Sequence, residues 1–419
     1  MSMTTYAAAV RSRIKNEGWR RAGQAVARRG LKSINEACGG DEPTLPMRPE
    51  DVYSGPALPE LPALPVEQGR TAERLRIGWV CFPPSRGSGG HTTLFRMVSA
   101  MEDRGHDCTV VLYDPHSDDV SRHESTLRQS WPGLTASIAS AADGLDHFDA
   151  VVASGWPTAH VVAGRHGTAV PFYFIQDYEP FFYPRGYLYG LAEASYSFGL
   201  QTIALGRMVA TELEVQANVA PDLVVPFGCD IDTYRLLPDE DGERTPRRGV
   251  VYYAKRTVDR RGYLLARAAL ERFHEVLPDE PIHIVGDSVH GWTIPVIQHG
   301  SVPPEELNRL YNRTVASLAM SFTNVSLVPG ELLAAGNVPV LNDAPGPRLD
   351  LDSPHAVWAP GTPEGLTAAL ATTVSVSETT IAERARRIAQ DRQSSWAHTQ
   401  ARTAEFIESR VRFWTAARS

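Results

Sequence analysis

From residue 75 onwards, the chain alternates between short apolar runs and longer amphipathic stretches. Short apolar runs suit strands that are buried on both faces of a sheet. Strands that alternate with helical stretches are typical of a parallel, doubly wound sheet. In the first part of the chain we predict strands over residues 75–80, 107–113, 150–154 and 171–175.

The same alternation starts again at residue 249. We predict strands over residues 249–254, 281–285, 315–320 and 338–341, and helices over residues 264–277 and 304–312. Prolines, a glycine and a charged run in residues 222–249 indicate an interdomain hinge. The predicted fold class is therefore α/β, with two Rossmann-like doubly wound lobes facing a central cleft.

Two segments flank these lobes. We predict a basic amphipathic helix over residues 4–37. This helix would either lie on an anionic membrane surface or pack on the domain as a solvated helix. Residues 43–66 contain seven prolines and predict a semi-rigid linker or a strap over the surface. We expect residues 1–70 to form the basic helix and linker, 71–235 the first lobe, 236–378 the second lobe, and 379–419 a C-terminal helical segment.

Composition agrees with this division and narrows the function. At 419 residues, the chain is too long for one ordinary core. A net charge of -8 argues against a general nucleic-acid binder. The four cysteines lie far apart without metal-ligand spacing, and no apolar run resembles a signal-peptide core or a membrane span. We therefore expect a protein of the reducing cytoplasm.

Two loops of small or basic residues follow predicted strands. Gly89 and Gly90 end a Gly-Ser-Gly-Gly loop that precedes a helix, so they either approach a phosphate or sugar or simply form a tight turn.

A basic cluster follows the first strand of the second lobe, and it either neutralises a diphosphate or is a solvated turn. Spacing favours two pairings within this cluster: Lys255 with Arg260, or Arg256 with Arg261.

Carboxylates mark two further strand ends. Asp177 and Glu179 lie among aromatic residues after an apolar strand, which suits sugar binding or activation of an acceptor hydroxyl. The alternative is a turn that caps the helix starting near Gly186.

Glu331 opens a short predicted helix between two strands, beside a loop suited to anion binding. A single carboxylate there suits a ribose diol, because it accepts two hydrogen bonds.

Together these residues resemble the family 4 retaining glycosyltransferases of GT-B architecture, and most closely the WsaF-type rhamnosyltransferases of bacterial polysaccharide assembly. The resemblance covers about residues 75–375. Its motifs are GGH at 89–91, RGHD at 104–107, FIQDYEP at 174–180, AEASY at 192–196, the basic segment 253–262, and SLVPGELLAAG at 326–336.

The resemblance implies transfer of a sugar from a nucleotide-diphosphate donor to a hydroxyl acceptor, with retained anomeric configuration and no metal or other cofactor. The expected donor is dTDP-rhamnose, and the expected acceptor is a glycan or a lipid-linked precursor. The expected catalytic residues are Asp177, Glu179, Lys255 and Arg260. The expected donor-binding residues are Gly89, Gly90, Lys255, Arg256, Arg260, Arg261, Asn324, Ser326, Leu327 and Glu331.

Two departures from the family pattern bear on the sugar. The family carries two Glu residues eight positions apart; the second matches Glu331, but the first falls at Thr323. A missing carboxylate fits a 6-deoxy sugar, which offers fewer hydroxyls. The histidine that many members carry in the first lobe would fall near residues 154–156, where this chain has none.

Other functions remain open at this point. The donor could be another nucleotide sugar, such as a UDP- or GDP-hexose. A nucleotide-sugar epimerase shares the two-lobed architecture, although it needs more acid/base groups around one sugar. A non-catalytic subunit of a polysaccharide assembly complex is the third alternative. If the basic N-terminal helix lies on the membrane, we expect a cytoplasmic protein with peripheral contact to the inner membrane face; if it packs on the domain, we expect a cytoplasmic protein without this contact.

Overall fold

The computed structural model describes residues 45–59, 74–238, 246–391 and 394–418. The predicted basic helix over residues 4–37 lies outside these residues, as does part of the Pro-rich segment. Among the described residues, no helix is both long and apolar enough to cross a membrane.

The first lobe contains a parallel sheet of seven strands. They are β1 (Arg76–Cys81), β2 (Asp107–Leu112), β3 (Ser137–Ser140), β4 (Ala150–Ala153), β5 (Val170–Ile175), β6 (Gln201–Leu205) and β7 (Leu223–Val225). Their order is β3-β2-β1-β4-β5-β6-β7. The strand order reverses between β1 and β4, and in open α/β sheets ligands bind outside the carboxyl ends of the strands at such a point.

Helices cover both faces of this sheet. They are α1 (Gly89–Asp103), α2 (Ser121–Ser130), α3 (Trp156–Arg165), α4 (Tyr187–Ala194) and α5 (Arg207–Ala217). Phe95 of α1 lies in the core on one face, and Val161 of α3 and Met208 of α5 lie in the core on the other. Because both faces are covered, β4, β5 and β6 are buried along their whole length, which explains the nearly continuous apolar sequence of β4 and β5.

The second lobe repeats this architecture with six parallel strands in the order β10-β9-β8-β11-β12-β13. The strands are β8 (Val250–Ala254), β9 (Ile282–Gly286), β10 (Ile297–Gly300), β11 (Ala316–Leu318), β12 (Val338–Asn342) and β13 (Val357–Ala359). The helices are α6 (Tyr263–Val276), α7 (Pro304–Arg313), α8 (Val328–Ala334), α9 (Pro345–Asp350), α10 (Pro363–Val374) and α11 (Glu378–Gln390). The predicted α/β class with two Rossmann-like lobes is confirmed.

The C-terminal helical segment is divided between the two lobes. It consists of two helices, α11 and α12 (Ala397–Arg418), which pack on different lobes. Ile381 and Ile388 of α11 join the second-lobe core, whereas Phe406 and Ile407 of α12 are buried in the first-lobe core. The chain therefore returns to the first lobe at its end. The other domain boundaries stay predictions.

Two connections between the lobes run side by side. The N–H of Cys229 donates to the carbonyl of Ser394 over 2.8 Å. Gly228 lies so close to Trp396 that a Cβ atom on this glycine would come within 2.7 Å of the Trp396 Cα. The first connection, after β7, falls within the predicted hinge region.

The described part of the Pro-rich segment is a strap on the first lobe. Met47 is buried there, and Asp51 accepts a hydrogen bond from the Tyr113 hydroxyl over 2.7 Å and pairs with Arg165. The N–H of Tyr53 donates to Nδ1 of His160 over 3.0 Å. Of the two predicted forms, the strap is the one seen in residues 47–58.

Candidate active site

The two lobes meet where β5 and β11 end. Thr323, five residues beyond β11, donates its hydroxyl hydrogen to a carboxylate oxygen of Asp177, two residues beyond β5, over 2.8 Å. The neighbouring Asn324 donates its side-chain N–H to the backbone carbonyl of Gln176 over 2.9 Å. These hydrogen bonds bring the Asp177 segment and the loop before Glu331 together, although nearly 150 residues separate them in sequence.

Arg260 and Arg261, which follow β8, extend this contact. Arg261 donates to the hydroxyl of Ser321 over 2.7 Å and to the side-chain oxygen of Asn324 over 2.9 Å, so it holds the loop after β11. Burial, with the charge of Arg260, lowers the pKa of Arg261 to about 9. The guanidinium of Arg260 lies over the ring of Phe182, 4.6 Å from its centre. One Arg260 nitrogen is 3.8 Å from Asp177.

The other two members of the basic cluster, Lys255 and Arg256, do not take part in this contact. The ammonium of Lys255 lies 5.3 Å from the ring centre of Tyr253 and makes no hydrogen bond or ion pair with the described residues. Arg256 is exposed; its N–H donates to Asp287 and its guanidinium to the carbonyl of Ser288. Arg260 and Arg261 therefore lie together at the meeting of the lobes, and Arg256 lies apart from them. The spacing favours other pairings, namely Lys255 with Arg260 or Arg256 with Arg261.

The glycine loop faces the second lobe across the cleft. A Cβ on Gly89 would lie 3.9 Å from Cδ1 of Leu327, and one on Gly90 would lie 3.7 Å from the side-chain oxygen of Gln176. A longer side chain at Gly89 would therefore enter the space between the lobes, whereas one at Gly90 would meet Gln176 of its own lobe. Next to them, Nδ1 of His91 is 2.8 Å from the Ser88 hydroxyl, and burial lowers the pKa of this imidazole. We therefore expect a neutral His91 at pH 7.

Glu179 is a buried carboxyl at the start of α3. Its Oε2 accepts a hydrogen bond from the N–H of Trp156 over 2.5 Å and lies 3.4 Å from the Tyr173 hydroxyl. Burial raises the pKa of Glu179 to about 8, against the opposing effect of the Trp156 hydrogen bond. The alternative prediction of a cap on the helix near Gly186 named the wrong helix: Glu179 caps α3, next to the point where the strand order reverses.

Glu331 lies in α8. The two charged side chains that affect it, Arg96 and Asp230, were not predicted to lie near it. Its carboxylate makes no hydrogen bond or ion pair with the described residues. Burial raises the pKa of Glu331 to about 7, with Arg96 lowering it and Asp230 raising it. Arg96 belongs to α1 of the first lobe and lies 3.3 Å from Asp230. Helix α1, which begins at the two glycines, thus brings a cation to the expected ribose site.

The loop between Asn324 and Glu331 has an unusual backbone. Ser326 has a φ of 64°, the left-handed region that costs an ordinary residue about 1–2 kcal/mol. A cavity of about 800 Å³ lies beside it, lined by Ser326, Leu327, Gly330, Arg207 and Asp350 among others. The structure thus gathers Asn324, Ser326 and Leu327 at the meeting of the lobes; the roles predicted for them stay predictions.

Within the described part of the chain, no three His, Cys, Asp or Glu side chains come together in a way that could hold a metal ion. The expected absence of a metal stays a prediction, because the remaining residues are not covered by this observation.

Known proteins include a distant relative of this chain in sequence and solved structures that share its fold. No protein-family model matches the chain. The chain is 27% identical over 302 residues to the O-antigen biosynthesis protein RfbC of Myxococcus xanthus. The match covers 68% of this chain but 23% of RfbC, so the chain spans less than a quarter of that relative.

Solved structures match over both lobes. The chain is similar to Anabaena Alr3699/HepE in complex with UDP-glucose, with a TM-score of 0.58 and 15% identity, over 82% of this chain and 100% of HepE. It is also similar to WaaG, a glycosyltransferase involved in lipopolysaccharide biosynthesis, with a TM-score of 0.55 and 15% identity, over 79% of this chain and 99% of WaaG. The chain has the GT-B fold.

In this GT-B fold, the cleft combines two kinds of chemistry. Lys255, Arg260 and Arg261 supply positive charge at the carboxyl end of β8, which suits an anionic ligand. Asp177 and Glu179 supply buried carboxyl groups at the end of β5, and burial raises the pKa of both. The site can therefore neutralise a leaving anion on one side and contact hydroxyl groups on the other.

Proposed function

We propose that this protein is a retaining glycosyltransferase that uses a nucleotide-diphosphate sugar in cell-surface polysaccharide or lipopolysaccharide synthesis. The observation that carries the proposal is the meeting of a basic segment and a carboxylate segment across the GT-B cleft. Arg260 of the second lobe lies 3.8 Å from Asp177 of the first. A donor bound between the lobes would meet the cations with its diphosphate and the carboxylates with its sugar.

The named relatives support this class of substrate. HepE has been crystallised with UDP-glucose, and WaaG is described as a glycosyltransferase of lipopolysaccharide biosynthesis. RfbC is described as an O-antigen biosynthesis protein. The first description names a bound nucleotide sugar, and the other two name the synthesis of bacterial surface glycans, so we extend a nucleotide-sugar donor and a glycan acceptor to this chain as our proposal.

The donor would be held mainly by the second lobe. Lys255 and Arg260 would neutralise the diphosphate, and the backbone N–H groups of Ser326 and Leu327 would donate to its oxygens. Glu331 would accept hydrogen bonds from the ribose diol. In the structure its carboxylate has no hydrogen-bond partner among the described residues, so it is available for a ligand.

The proposed reaction exchanges one bond at the anomeric carbon of the sugar. The bond from this carbon to the diphosphate oxygen breaks, and a bond to the acceptor oxygen forms on the same face, so the configuration is retained. The acceptor proton passes to the leaving diphosphate. Lys255 and Arg260 would stabilise charge that develops on this leaving group, while Asp177 and Glu179 would line the sugar and acceptor side. The neighbouring cleft walls would limit hydrolysis by water.

We further propose that the sugar is L-rhamnose and the donor dTDP-rhamnose. Thr323 stands where a carboxylate would contact a hexose hydroxyl, and a 6-deoxy sugar has one hydroxyl fewer to bind. Calorimetric titration with dTDP, UDP and GDP tests the nucleotide. We expect the tightest binding for dTDP; a clear preference for GDP would exclude this donor.

Removing the Glu331 carboxylate tests the donor site itself. In Glu331→Ala we expect kcat/KM for the donor to fall at least tenfold, which corresponds to about 1.4 kcal/mol of lost transition-state stabilisation. Glu364→Ala is the matched control, since this carboxylate pairs with Arg272 on the exposed surface of the second lobe. Equal turnover in wild type and Glu331→Ala would contradict the assigned ribose site.

A further inference from the structure

Two buried polar atoms at the meeting of the lobes lack hydrogen-bond partners among the described residues. They are Oδ1 of Asp177 and Nη1 of Arg260. Asp177 is 4% exposed, so its free oxygen is shielded from solvent. The Arg260 nitrogen is 3.8 Å from the other oxygen of Asp177, which is too long for a hydrogen bond. A buried acceptor and a buried donor therefore lie close together, and neither is satisfied.

The chemistry of this pair selects one class of ligand group. A hydroxyl can donate its hydrogen to Asp177 while its oxygen accepts from Arg260. A phosphate or carboxylate only accepts, so at this position it would satisfy Nη1 of Arg260 but be repelled by Asp177; the diphosphate proposed above would bind the other N–H groups of Arg260. An ammonium group only donates, so it would leave Arg260 unpaired. The ring of Phe182 covers one face of the Arg260 guanidinium, so a ligand group on that side can reach the N–H groups of Arg260 only in the plane of the guanidinium.

Both lobes are needed to build this pair. Asp177 belongs to the first lobe, and its other oxygen is held by the Thr323 hydroxyl of the second lobe over 2.8 Å. One residue further along, Asn324 holds the carbonyl of Gln176, which precedes Asp177. Arg260 belongs to the second lobe. If the lobes separated, the acceptor and the donor would part.

We infer that Asp177 and Arg260 form a hydroxyl-binding site for the donor sugar, assembled across the two lobes and held in position by Thr323. This inference rests on the proposed function. A sugar joined to a diphosphate must lie beside the groups that bind the diphosphate, and Arg260 is next to Arg261 in that basic segment. The carboxylate that contacts the donor sugar would thus come from the first lobe rather than from the donor lobe.

The test measures discrimination between hydroxyl and deoxy sugars. The wild type is first assayed with UDP-glucose, UDP-galactose, GDP-mannose and dTDP-L-rhamnose, and the donor with the highest kcat/KM is then compared with its monodeoxy analogues. We expect one analogue to lose at least tenfold in kcat/KM. In Asp177→Asn we expect that loss to shrink below threefold, while the Kd of the matching nucleoside diphosphate stays within twofold of the wild-type value.

Asp343→Asn is the control, because Asp343 is an exposed carboxylate of the second lobe that pairs with Arg348 of the same lobe. This variant should keep the wild-type discrimination. Thr323→Val removes the group that positions Asp177 and should lose part of the discrimination, with recovery in Thr323→Ser; it also serves as the test if Asp177→Asn does not fold.

The outcomes separate this inference from the proposed function. Sugar transfer with wild-type discrimination in both Asp177→Asn and Thr323→Val would overturn the hydroxyl site and leave the glycosyltransferase intact. A wild type that discriminates against no deoxy analogue would do the same. A wild type that transfers none of the four sugars and binds no nucleoside diphosphate would overturn the proposed function, and the inference with it.

Discussion

Burial changes the ionisation of Glu179, and this change should appear in the pH dependence of stability. Its pKa is raised from an ordinary 4.5 to about 8 in the folded protein. Between these values the folded state binds more protons than the unfolded state, so the free energy of unfolding falls as the pH rises. The contribution is fully present below pH 4.5 and is lost as the pH passes through about 8.

Glu179→Gln tests this effect while keeping an oxygen that can accept from Trp156. We expect a flatter decline of the free energy of unfolding between pH 5 and pH 8, measured by urea denaturation at several pH values. Some decline should remain, because burial raises the pKa of Glu331 in the same direction. Glu214→Gln, at an exposed position of α5, should keep the wild-type slope. An unchanged slope in Glu179→Gln would show that this carboxyl does not bind the extra proton.

Single site residues were predictable where a charged side chain lay next to the end of a predicted strand. Asp177, Arg260 and Glu331 follow or precede predicted strands, and the structure brings all three to the meeting of the lobes. Arg96 was missed, because a cation on an amphipathic helix normally faces solvent. Its neighbour Asp230 lies more than 130 residues further along the chain, so no local pattern connects the two.

At the scale of elements, α12 stabilises the first lobe, although about 170 residues separate it from the last strand of that lobe. Phe406 is 2% exposed and packs edge-on against Phe172 of β5, with ring centres 6.0 Å apart. Phe406→Ala should lower the free energy of unfolding by about 3–5 kcal/mol, the usual cost of removing a buried phenylalanine ring. Chemical denaturation measures this change. Phe322→Ala, which truncates a half-exposed ring, should change the free energy of unfolding by much less. A loss in Phe406→Ala as small as that in Phe322→Ala would mean that α12 is not part of the core.

Strands in the interior of each sheet were easier to predict than strands at the edges. β1, β4, β5, β8 and β12 were predicted, because burial on both faces requires apolar residues in succession. β3, β10 and β13 were missed: they lie at sheet edges, are short, and carry polar or partly exposed residues. β6 is internal, but it is short and begins with the polar pair Gln201 and Thr202, which obscures it.

At the scale of the whole molecule, Asp350 links the lobes by capping a helix of the other lobe. It belongs to α9 of the second lobe and accepts from the first N–H groups of α5 in the first lobe. Loss of a comparable capping carboxylate costs about 0.5–2 kcal/mol. Asp350→Ala should therefore lower stability by that amount in chemical denaturation, and small-angle scattering should show a larger radius of gyration.

Asp343→Ala is the control for this prediction, because Asp343 is an exposed carboxylate in the same lobe that pairs with Arg348. It should leave the radius of gyration unchanged. If Asp350→Ala and Asp343→Ala have equal stabilities and equal radii, the capping contact does not hold the lobes together.

The architecture was predictable from sequence because alternation of strands and helices repeats in two blocks, and such repetition has few compact solutions. The return of α12 and the contact between Thr323 and Asp177 were not predictable. Both join residues that are far apart in sequence, and neither leaves a periodic pattern. Their positions depend on how the two finished lobes pack.

The central claim is transfer of a sugar from a nucleotide-diphosphate donor. The most direct test incubates the protein with UDP-glucose, UDP-galactose, GDP-mannose or dTDP-L-rhamnose and a lipid-linked or oligosaccharide acceptor, followed by mass spectrometry of the acceptor. Our account predicts an acceptor heavier by one sugar residue with at least one donor, most strongly dTDP-L-rhamnose, and retained anomeric configuration in the product. Free donor that is epimerised without transfer, or no reaction with every donor, would contradict it.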